Sequence, residues 1–167
     1  TSSMDLVLQS GNRNIDLTDL YYESKLETIG DSTVLTLSLA LSDGGQVTHK
    51  YTLPPTGYQI GYALQVNGTA LNSDVVLDWR NSLMLQEKDV TLSRTNTTIN
   101  YYTAEGDFDG LNERSNELEK EALEESVKWI AIKQRFFVSS IIALLIFVPT
   151  KAKTIATKQV PKYLSLI

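Results

Sequence analysis

Residues 127–149 read VKWIAIKQRFFVSSIIALLIFVP, and this stretch decides the fold. Its first residues alternate between apolar and polar side chains and pass through Lys133 and Arg135. The run that follows, from Phe136 to Val148, is almost purely apolar over 13 residues. A run of that length is compatible with buried strands, a buried helix or a membrane span, so the neighbouring sequence has to decide between them.

The membrane span is the easiest of the three to test. A spanning helix needs roughly 20 predominantly apolar residues, and Pro149 ends this run before that length is reached. Extending the segment back to Val127 would place Lys133 and Arg135 in the hydrocarbon, at about 2.5–3.5 kcal/mol for each charge near the bilayer centre. The stretch therefore favours a water-soluble domain.

The chain before residue 105 has the turn spacing of a β protein. Predicted strands cover residues 5–9, 15–22, 33–41, 47–53, 58–66 and 75–85. In the third of these, Leu35, Leu37, Leu39 and Leu41 share one parity and would form one apolar face. Residues 42–45 read Ser-Asp-Gly-Gly, which predicts a hairpin turn, because glycine supplies the positive φ that tight turns need.

The middle of the chain is more polar. Residues 86–102 are rich in threonine, which favours an edge strand or a long loop over core. Residues 111–125 combine many glutamates with a thin apolar stripe, which predicts one acidic helix. Residues 127–134 and 136–148 are then predicted to be two buried strands, since aromatic and β-branched residues dominate both.

Length and composition limit the function classes. The 167 residues suit a single domain spanning residues 1–167, and the predicted fold class is mainly β, an antiparallel sandwich. A net charge of −5 argues against nucleic acid, because phosphate binding needs a basic face. The absence of cysteine excludes a disulfide framework and a thiolate metal site. The N-terminal residues lack the basic start and apolar core of a signal peptide.

Several motifs in one order carry a family resemblance. They are Tyr51-Thr52-Leu53, Gly57 to Tyr62 in the form Gly-Tyr-x-Ile-x-Tyr, Leu77-Asp78-Trp79-Arg80, Gln86-Glu87-Lys88 and the segment from Val127 to Phe137 with its Trp-Ile-Ala and Phe-Phe groups. Together they resemble the periplasmic domain of the YidC-type membrane protein insertases, over about residues 33–148. The segment around Trp129 is the most specific part of this resemblance.

The resemblance implies a galactose-mutarotase-like β-supersandwich on the periplasmic side of the bacterial inner membrane, of which this chain would be the later part. It implies a non-catalytic domain of an insertase that assists insertion and folding of inner-membrane proteins, alone or with the Sec translocon. The implied partners are Sec translocon components and nascent membrane proteins, reached through a membrane-anchored full-length protein. The membrane helices and their hydrophilic groove are not in this chain, so no groove residue is transferred to it.

No residue is assigned a catalytic, cofactor-binding or metal-binding role. His49 is the only histidine, and acid–base catalysis would need further groups converging on it, so a solvent-facing strand position is the favoured prediction. Residues 105–110 read EGDFDG, like the front of a calcium loop. Asn116 occupies the twelfth position, where a bidentate glutamate is required, which favours an ordinary acidic loop.

The aromatic residues leave an alternative function open. Trp79 and Trp129 could stack on a sugar, so a carbohydrate-binding or aldose-epimerase-like β-sandwich module is the second hypothesis. Packing of both tryptophans in the core is favoured over that role, because both lie in apolar strands. An independent cell-envelope adhesion domain is a third, weaker hypothesis.

Overall fold

The fold consists almost entirely of antiparallel strands in two compact units. A computed structural model describes residues 2–10, 13–42, 44–68, 75–81, 88–115, 119–123, 125–147, 152–157 and 163–166. One unit is Leu6–Val76, and the other combines Thr1–Asp5 with Leu77–Ile167. The prediction of mainly antiparallel β structure is confirmed. The finer prediction of a galactose-mutarotase-like supersandwich stays a prediction, as does the prediction of one domain.

The first seven strands are β1 (Ser3–Ser10), β2 (Arg13–Asp16), β3 (Glu23–Ile29), β4 (Ser32–Ala40), β5 (Gln46–Leu53), β6 (Gly61–Asn67) and β7 (Val75–Arg80). A short helix, α1 (Val90–Thr95), separates them from β8 (Thr98–Thr103), β9 (Phe108–Gly110), β10 (Glu119–Leu123), β11 (Val127–Lys133), β12 (Val138–Phe147), β13 (Ala152–Thr157) and β14 (Tyr163–Leu166). None of the helical structure among these residues is long and apolar enough to cross a membrane.

The unit from Leu6 to Val76 is organised around a four-stranded meander. Its order is β3-β4-β5-β6, so that neighbours in sequence are neighbours in the sheet. The predicted turn between β4 and β5 is present: Gly44 has a φ of +83°, and the Leu41 amide donates to the Gly45 carbonyl at 2.8 Å. Among the described residues of this unit, the buried apolar side chains are Leu6, Leu8, Leu17, Val34 and Val47.

The other unit contains a second four-stranded sheet, in the order β12-β11-β8-β9. A register shift between Val127 and Trp129 interrupts the regular pairing of β11 with both β8 and β12. On one face of this sheet Ile99 and Ile132 are buried, with Trp79, Leu111 and Ile130 packed against them. A further sheet of this unit has the order β10-β13-β14, and a separate three-stranded sheet of the chain has the order β2-β1-β7.

The predicted acidic helix at residues 111–125 is wrong. Asn112 to Ser115 form a turn, and Glu119–Leu123 form strand β10, paired with β13. The glutamates instead accept hydrogen bonds from specific donors, since Glu121 Oε1 accepts from the Tyr101 hydroxyl at 2.8 Å and Glu119 Oε2 accepts from the Asn112 amide at 2.8 Å. The strand prevails because β13 supplies a full ladder of backbone bonds, whereas a helix with a thin apolar stripe buries little.

The prediction for residues 86–102 is also corrected. Residues 82–87 lie outside the part of the chain that the structure describes, and α1 follows, with Asp89 Oδ1 accepting from the Leu92 amide at 3.0 Å in the manner of an N-cap. Strand β8 is an inner strand of its sheet, and Thr98, Ile99, Tyr101 and Thr103 are buried. The threonine content indicated an edge position. In the structure β8 instead has a hydrogen-bonded neighbouring strand on each side, β11 and β9.

The apolar run from residue 136 forms a strand, as predicted, but it is less buried than predicted. Strand β12 lies at the outside of its sheet. Phe136, Phe137 and Val138 are 67%, 55% and 67% exposed, and Ile142 is 59% exposed. The Gln134 amide donates to the Phe137 carbonyl at 2.7 Å, which closes the turn between β11 and β12 and places both phenylalanines at its tip.

Candidate functional site

Four side chains form a row across one face of the sheet β12-β11-β8-β9. The register places Phe108 opposite Tyr102, Tyr102 opposite Trp129, and Trp129 opposite Ile142. Residues directly opposite each other in antiparallel strands project to the same face. We call Phe108, Tyr102, Trp129 and Ile142 the aromatic row.

The rings of Phe108, Tyr102 and Trp129 contact one another, and the two outer members of the row, Phe108 and Ile142, are exposed to solvent. The centroids of Tyr102 and Trp129 are 6.0 Å apart with their planes 6° from parallel, and Phe108 lies 5.9 Å from Trp129. Phe108 is 63% exposed and Ile142 is 59% exposed, whereas Tyr102 and Trp129 are half-buried. Lys128 Nζ lies 5.4 Å from the Tyr102 ring centroid, within the range of a cation–π contact. The row is therefore an apolar surface, not part of the buried core.

Three exposed carboxylates lie in the loops at the ends of β8, β9 and β11. Oxygen atoms of Glu105, Asp107 and Glu125 all lie within 4.8 Å of one another. The loops that carry them are held together by a bond from the Ala104 amide to the Ser126 carbonyl at 2.7 Å. We call Glu105, Asp107 and Glu125 the acidic rim.

The acidic rim differs from the calcium-like motif of the sequence. Asp109, the third acidic residue of that motif, lies on β9, where its Oδ1 accepts from the Gly110 amide at 2.8 Å. Glu125 takes its place in the cluster, although it is distant in sequence. The segment connects two strands and has no flanking helices, so its geometry is that of a hairpin loop.

His49 occupies a different position from the one predicted. It is only 3% exposed, so the prediction of a solvent-facing strand residue is wrong. Its Nδ1 lies 2.8 Å from the Tyr62 hydroxyl and its Nε2 lies 3.0 Å from the Tyr22 hydroxyl. The Tyr22 ring meets the imidazole edge to face, at 4.9 Å, and Tyr51 lies 5.0 Å from Tyr62. We call these four residues the His49 cluster.

The hydrogen bonds of the His49 cluster select one tautomer. The Tyr22 hydroxyl donates to the Leu17 carbonyl at 2.7 Å, so it accepts from His49 Nε2–H. His49 Nδ1 is then the acceptor, and the Tyr62 hydroxyl donates to it. Every polar atom of the imidazole is satisfied in this neutral form.

Burial keeps the groups of the His49 cluster uncharged. Desolvation lowers the pKa of His49 below its ordinary value. Burial also raises the pKa of Tyr62, Tyr22 and Tyr51, and the neighbouring tyrosines add to the effect on Tyr62 and Tyr22. The cluster is a neutral polar network that links β5 and β6 to the residues before β3.

The two tryptophans have different environments. Trp79 packs against the buried Ile99 and Ile132, in agreement with the core prediction. Trp129 lies on the other face, in the aromatic row, so full burial was the wrong expectation for it. Sequence reasoning missed Tyr102 and Phe108 as its neighbours, because they reach it only through the pairing of β8 with β9 and β11.

The relationship to known proteins is clear once this geometry is described. The chain matches the family described as the YidC periplasmic domain over residues 2–163. It belongs to this family. The resemblance inferred from the motifs is thereby confirmed, and a YidC periplasmic domain lies on the periplasmic side of the bacterial inner membrane.

Curated relatives show how much of a YidC protein the chain represents. It is 34% identical to a membrane protein insertase YidC of Cytophaga hutchinsonii over 139 residues, which are 81% of this chain and 22% of that protein. It is 32% identical to the Phocaeicola vulgatus protein of the same name over 85% of this chain and 23% of that protein. It is 34% identical to the Amoebophilus asiaticus protein of the same name over 77% of this chain and 21% of that protein. The chain thus spans less than a quarter of the length of these relatives, and no solved structure matches it.

Proposed function

We propose that this chain is a non-catalytic part of a membrane protein insertase, the later part of its periplasmic domain. In that role it assists the insertion and folding of inner-membrane proteins, alone or with the Sec translocon. Its partners are nascent membrane proteins and translocon components, which it meets as part of a membrane-anchored full-length protein. The match to the YidC periplasmic domain over residues 2–163 carries the proposal, together with relatives that are named membrane protein insertases.

The chemistry of the His49 cluster supports a role without catalysis. His49 is buried, and both of its ring nitrogens already bond to tyrosine hydroxyls. General acid–base catalysis requires a titratable group within reach of a substrate proton. His49 is the only histidine of the chain, and its buried imidazole is not within reach of a substrate proton. Its hydrogen bonds instead connect strands of one unit.

The exposed apolar side chains support a contact role. Phe108, Ile142 and the tip formed by Phe136 and Phe137 are all more than half exposed in the unit that contains β8 to β12. Exposed apolar side chains that cluster on a surface mark interaction sites in soluble domains. A scaffold that contacts other chains needs exposed apolar surface, whereas a domain that serves only as a spacer between other parts of a protein does not.

Site-specific photo-crosslinking in the full-length insertase tests the proposal. A photoreactive residue replaces Phe108, Phe137 or Ile142 in separate variants, and Tyr58 or Leu26 in matched controls, which are 107% and 69% exposed in the other unit. We expect adducts with a nascent inner-membrane protein or a translocon subunit at one or more of the first three positions and weak or absent adducts at the controls. Adducts with neither partner at any position, in cells that still insert membrane proteins, would overturn the contact role.

A further inference from the structure

We infer that the turn between β11 and β12 is a membrane-docking element, which inserts its apolar side chains into the surface of a lipid bilayer that contains anionic lipids. We call Phe136, Phe137 and Val138 the hairpin tip. The inference goes beyond the proposed function, which concerns protein partners. It rests on the exposure and shape of the hairpin tip and on the charge of the segment that carries it.

The hairpin tip presents consecutive apolar side chains to solvent. Phe136, Phe137 and Val138 are 67%, 55% and 67% exposed. The bond from the Gln134 amide to the Phe137 carbonyl leaves Arg135 and Phe136 as the two central residues of the turn. Turns that face water are usually built from Gly, Asn, Asp and Ser, so an aromatic pair at this position indicates contact with an apolar surface.

The shape of the hairpin tip favours a lipid layer over a protein partner. Val138 pairs with Lys133, so its side chain lies on the face of the sheet that carries Trp129. Phe137 is the preceding residue and lies opposite Gln134, so it projects to the other face. A partner seated on one face of the sheet would cover only one of these two side chains. Lipid that surrounds a protruding turn covers both.

The length of the hairpin tip suits the interface of a bilayer. The turn extends two residues beyond the pair formed by Lys133 and Val138, which is roughly 7 Å at about 3.3 Å per residue. Apolar groups of interfacial elements are buried about 5–10 Å into the boundary between headgroups and acyl chains. A YidC periplasmic domain lies on the periplasmic side of the inner membrane, so such a surface is available to it.

The charge of the segment complements anionic headgroups. Residues 126–167 contain seven lysines and arginines and no aspartate or glutamate, although the net charge of the whole chain is −5. Two of these basic residues flank the turn: the Arg135 guanidinium lies 5.0 Å from the Phe136 ring centroid, and Lys133 pairs with Glu113. Clusters of basic residues near a membrane are attracted to anionic lipid, and arginine side chains can extend to the headgroups while neighbouring rings insert.

The acidic rim lies at the opposite end of the sheet. Strand β11 begins at Val127, next to the loops of the acidic rim, and ends at Lys133, next to the hairpin tip. Its seven residues span roughly 20 Å, which exceeds the screening length of about 8 Å at physiological salt. The carboxylates therefore do not oppose the approach of the hairpin tip to an anionic surface, and they favour an orientation with the tip toward the lipid.

Co-sedimentation with lipid vesicles tests the inference on the purified chain. One vesicle is phosphatidylcholine alone, and the other is an equimolar mixture of phosphatidylcholine and phosphatidylglycerol. We expect saturable binding to the mixed vesicles, and about tenfold weaker binding to phosphatidylcholine alone or to mixed vesicles at high salt, because salt screens the ionic part of the attraction.

Variants assign the binding to the hairpin tip. Phe136→Ser with Phe137→Ser should weaken binding to the mixed vesicles at least about tenfold, whereas Phe136→Leu with Phe137→Leu should retain most of it, because leucine keeps the tip apolar. Arg135→Gln should weaken binding to the mixed vesicles about fivefold and leave binding to phosphatidylcholine unchanged.

Matched controls come from the other unit. Leu26→Ser with Tyr58→Ser removes two exposed apolar side chains, and Lys50→Gln removes an exposed basic one. All of these variants should bind vesicles as the wild type does. Circular dichroism confirms that each variant is folded.

A site-specific dye reports insertion directly. The chain contains no cysteine, so Val138→Cys provides a single attachment point for an environment-sensitive NBD dye, and Tyr58→Cys provides the control in the other unit. On addition of mixed vesicles, the emission of the dye at position 138 should shift to the blue and be quenched by nitroxide-labelled lipid. The dye at position 58 should show neither change.

Several results would overturn the inference. These are the absence of saturable binding to the mixed vesicles, an equal loss of binding in the control variants, and equal dye responses at positions 138 and 58. A dimer that forms through the hairpin tip without vesicle binding would assign the tip to a second copy of the chain. In the full-length insertase, photo-adducts from position 137 with protein and none with lipid would assign it to a protein partner.

Failure of lipid docking is distinguishable from failure of the proposed function. The vesicle and dye measurements contain no nascent chain and no translocon. Photo-adducts of Phe108 or Ile142 with a nascent membrane protein or a translocon subunit would support the proposed function even if the hairpin tip bound no lipid.

Discussion

His49 shows how one residue can stabilise this fold without taking part in chemistry. Its imidazole lies between two tyrosine hydroxyls, and a third hydrogen bond passes from Tyr22 to the Leu17 carbonyl. A buried polar group costs little free energy when its hydrogen bonds are complete and much more when a partner is removed. The contribution of His49 to the stability of the fold is therefore best measured by substituting this residue.

Replacing His49 by alanine should destabilise the chain by about 1–3 kcal/mol, because the buried tyrosine hydroxyls lose their shared partner and a cavity remains. Urea unfolding followed by far-UV circular dichroism measures the change. Lys50→Ala is the matched control, since Lys50 is the next residue of β5 and its side chain is exposed. An unchanged midpoint for His49→Ala would show that the cluster does not stabilise the fold.

The pH dependence of stability should also depend on His49. Its pKa is lowered in the folded state, so the unfolded chain binds the proton more readily. The stability that neutral His49 provides is therefore complete above the unfolded pKa of about 6.5 and is lost as the pH falls toward the lowered folded value. Urea midpoints measured from pH 7.5 to 5 should decline in the wild type and decline less in His49→Gln. An equal decline of the urea midpoint with falling pH in the wild type and in His49→Gln would contradict the assignment of this pH dependence to His49.

At the scale of elements, the close approach of β8 and β9 depends on a glycine. A Cβ built at Gly110 would lie 2.4 Å from Asn100 Oδ1 and 2.6 Å from the Ile99 carbonyl oxygen. Gly110→Ala should therefore displace β9 and cost about 1–3 kcal/mol of the free energy of unfolding. Gly61→Ala, where the nearest atom is 3.4 Å away, is the control and should change stability little. Equal effects of the two substitutions would refute the contact.

The pairing of β8 with β11 predicts a coupling between two rings. Trp129→Ala should cost about 1–3 kcal/mol, less than the 3–5 kcal/mol typical of a fully buried aromatic residue, because its side chain is half-buried. In a double-mutant cycle, Trp129→Ala and Tyr102→Ala should show a coupling of about 0.5–1.5 kcal/mol. The same cycle with Tyr58→Ala, in the other unit, should show almost none. A Tyr102 coupling no larger than that control would contradict the stacking.

At the scale of the whole molecule, the sequence predicts one domain spanning residues 1–167. A single domain is expected to unfold in one cooperative transition.

Two natural probes can test that cooperativity. Both tryptophans, Trp79 and Trp129, belong to one unit, and the only histidine, His49, belongs to the other. We expect urea unfolding followed by tryptophan fluorescence to coincide with unfolding followed by the His49 imidazole NMR signal. Separate midpoints would show that the units unfold independently and would contradict the prediction of a single domain.

The sequence by itself determined the β class, the turn predicted at residues 42–45 and the family. These features are local: glycine at a turn supplies positive φ, alternation has the two-residue period of a strand, and the motifs around Trp129 are contiguous. It also predicted a strand after Phe136, and β12 lies there. None of these inferences required knowledge of which strands are neighbours.

Only the tertiary structure decided the burial of His49, the strand at Glu119–Leu123, the inner position of β8 and the gathering of Phe108, Tyr102, Trp129 and Ile142 into one row. Each depends on a partner strand that is distant in sequence. Strand order and register determine which side chains meet and which backbone groups are paired, and neither is encoded in a local pattern. The aromatic row and the acidic rim therefore exist only in the folded sheet.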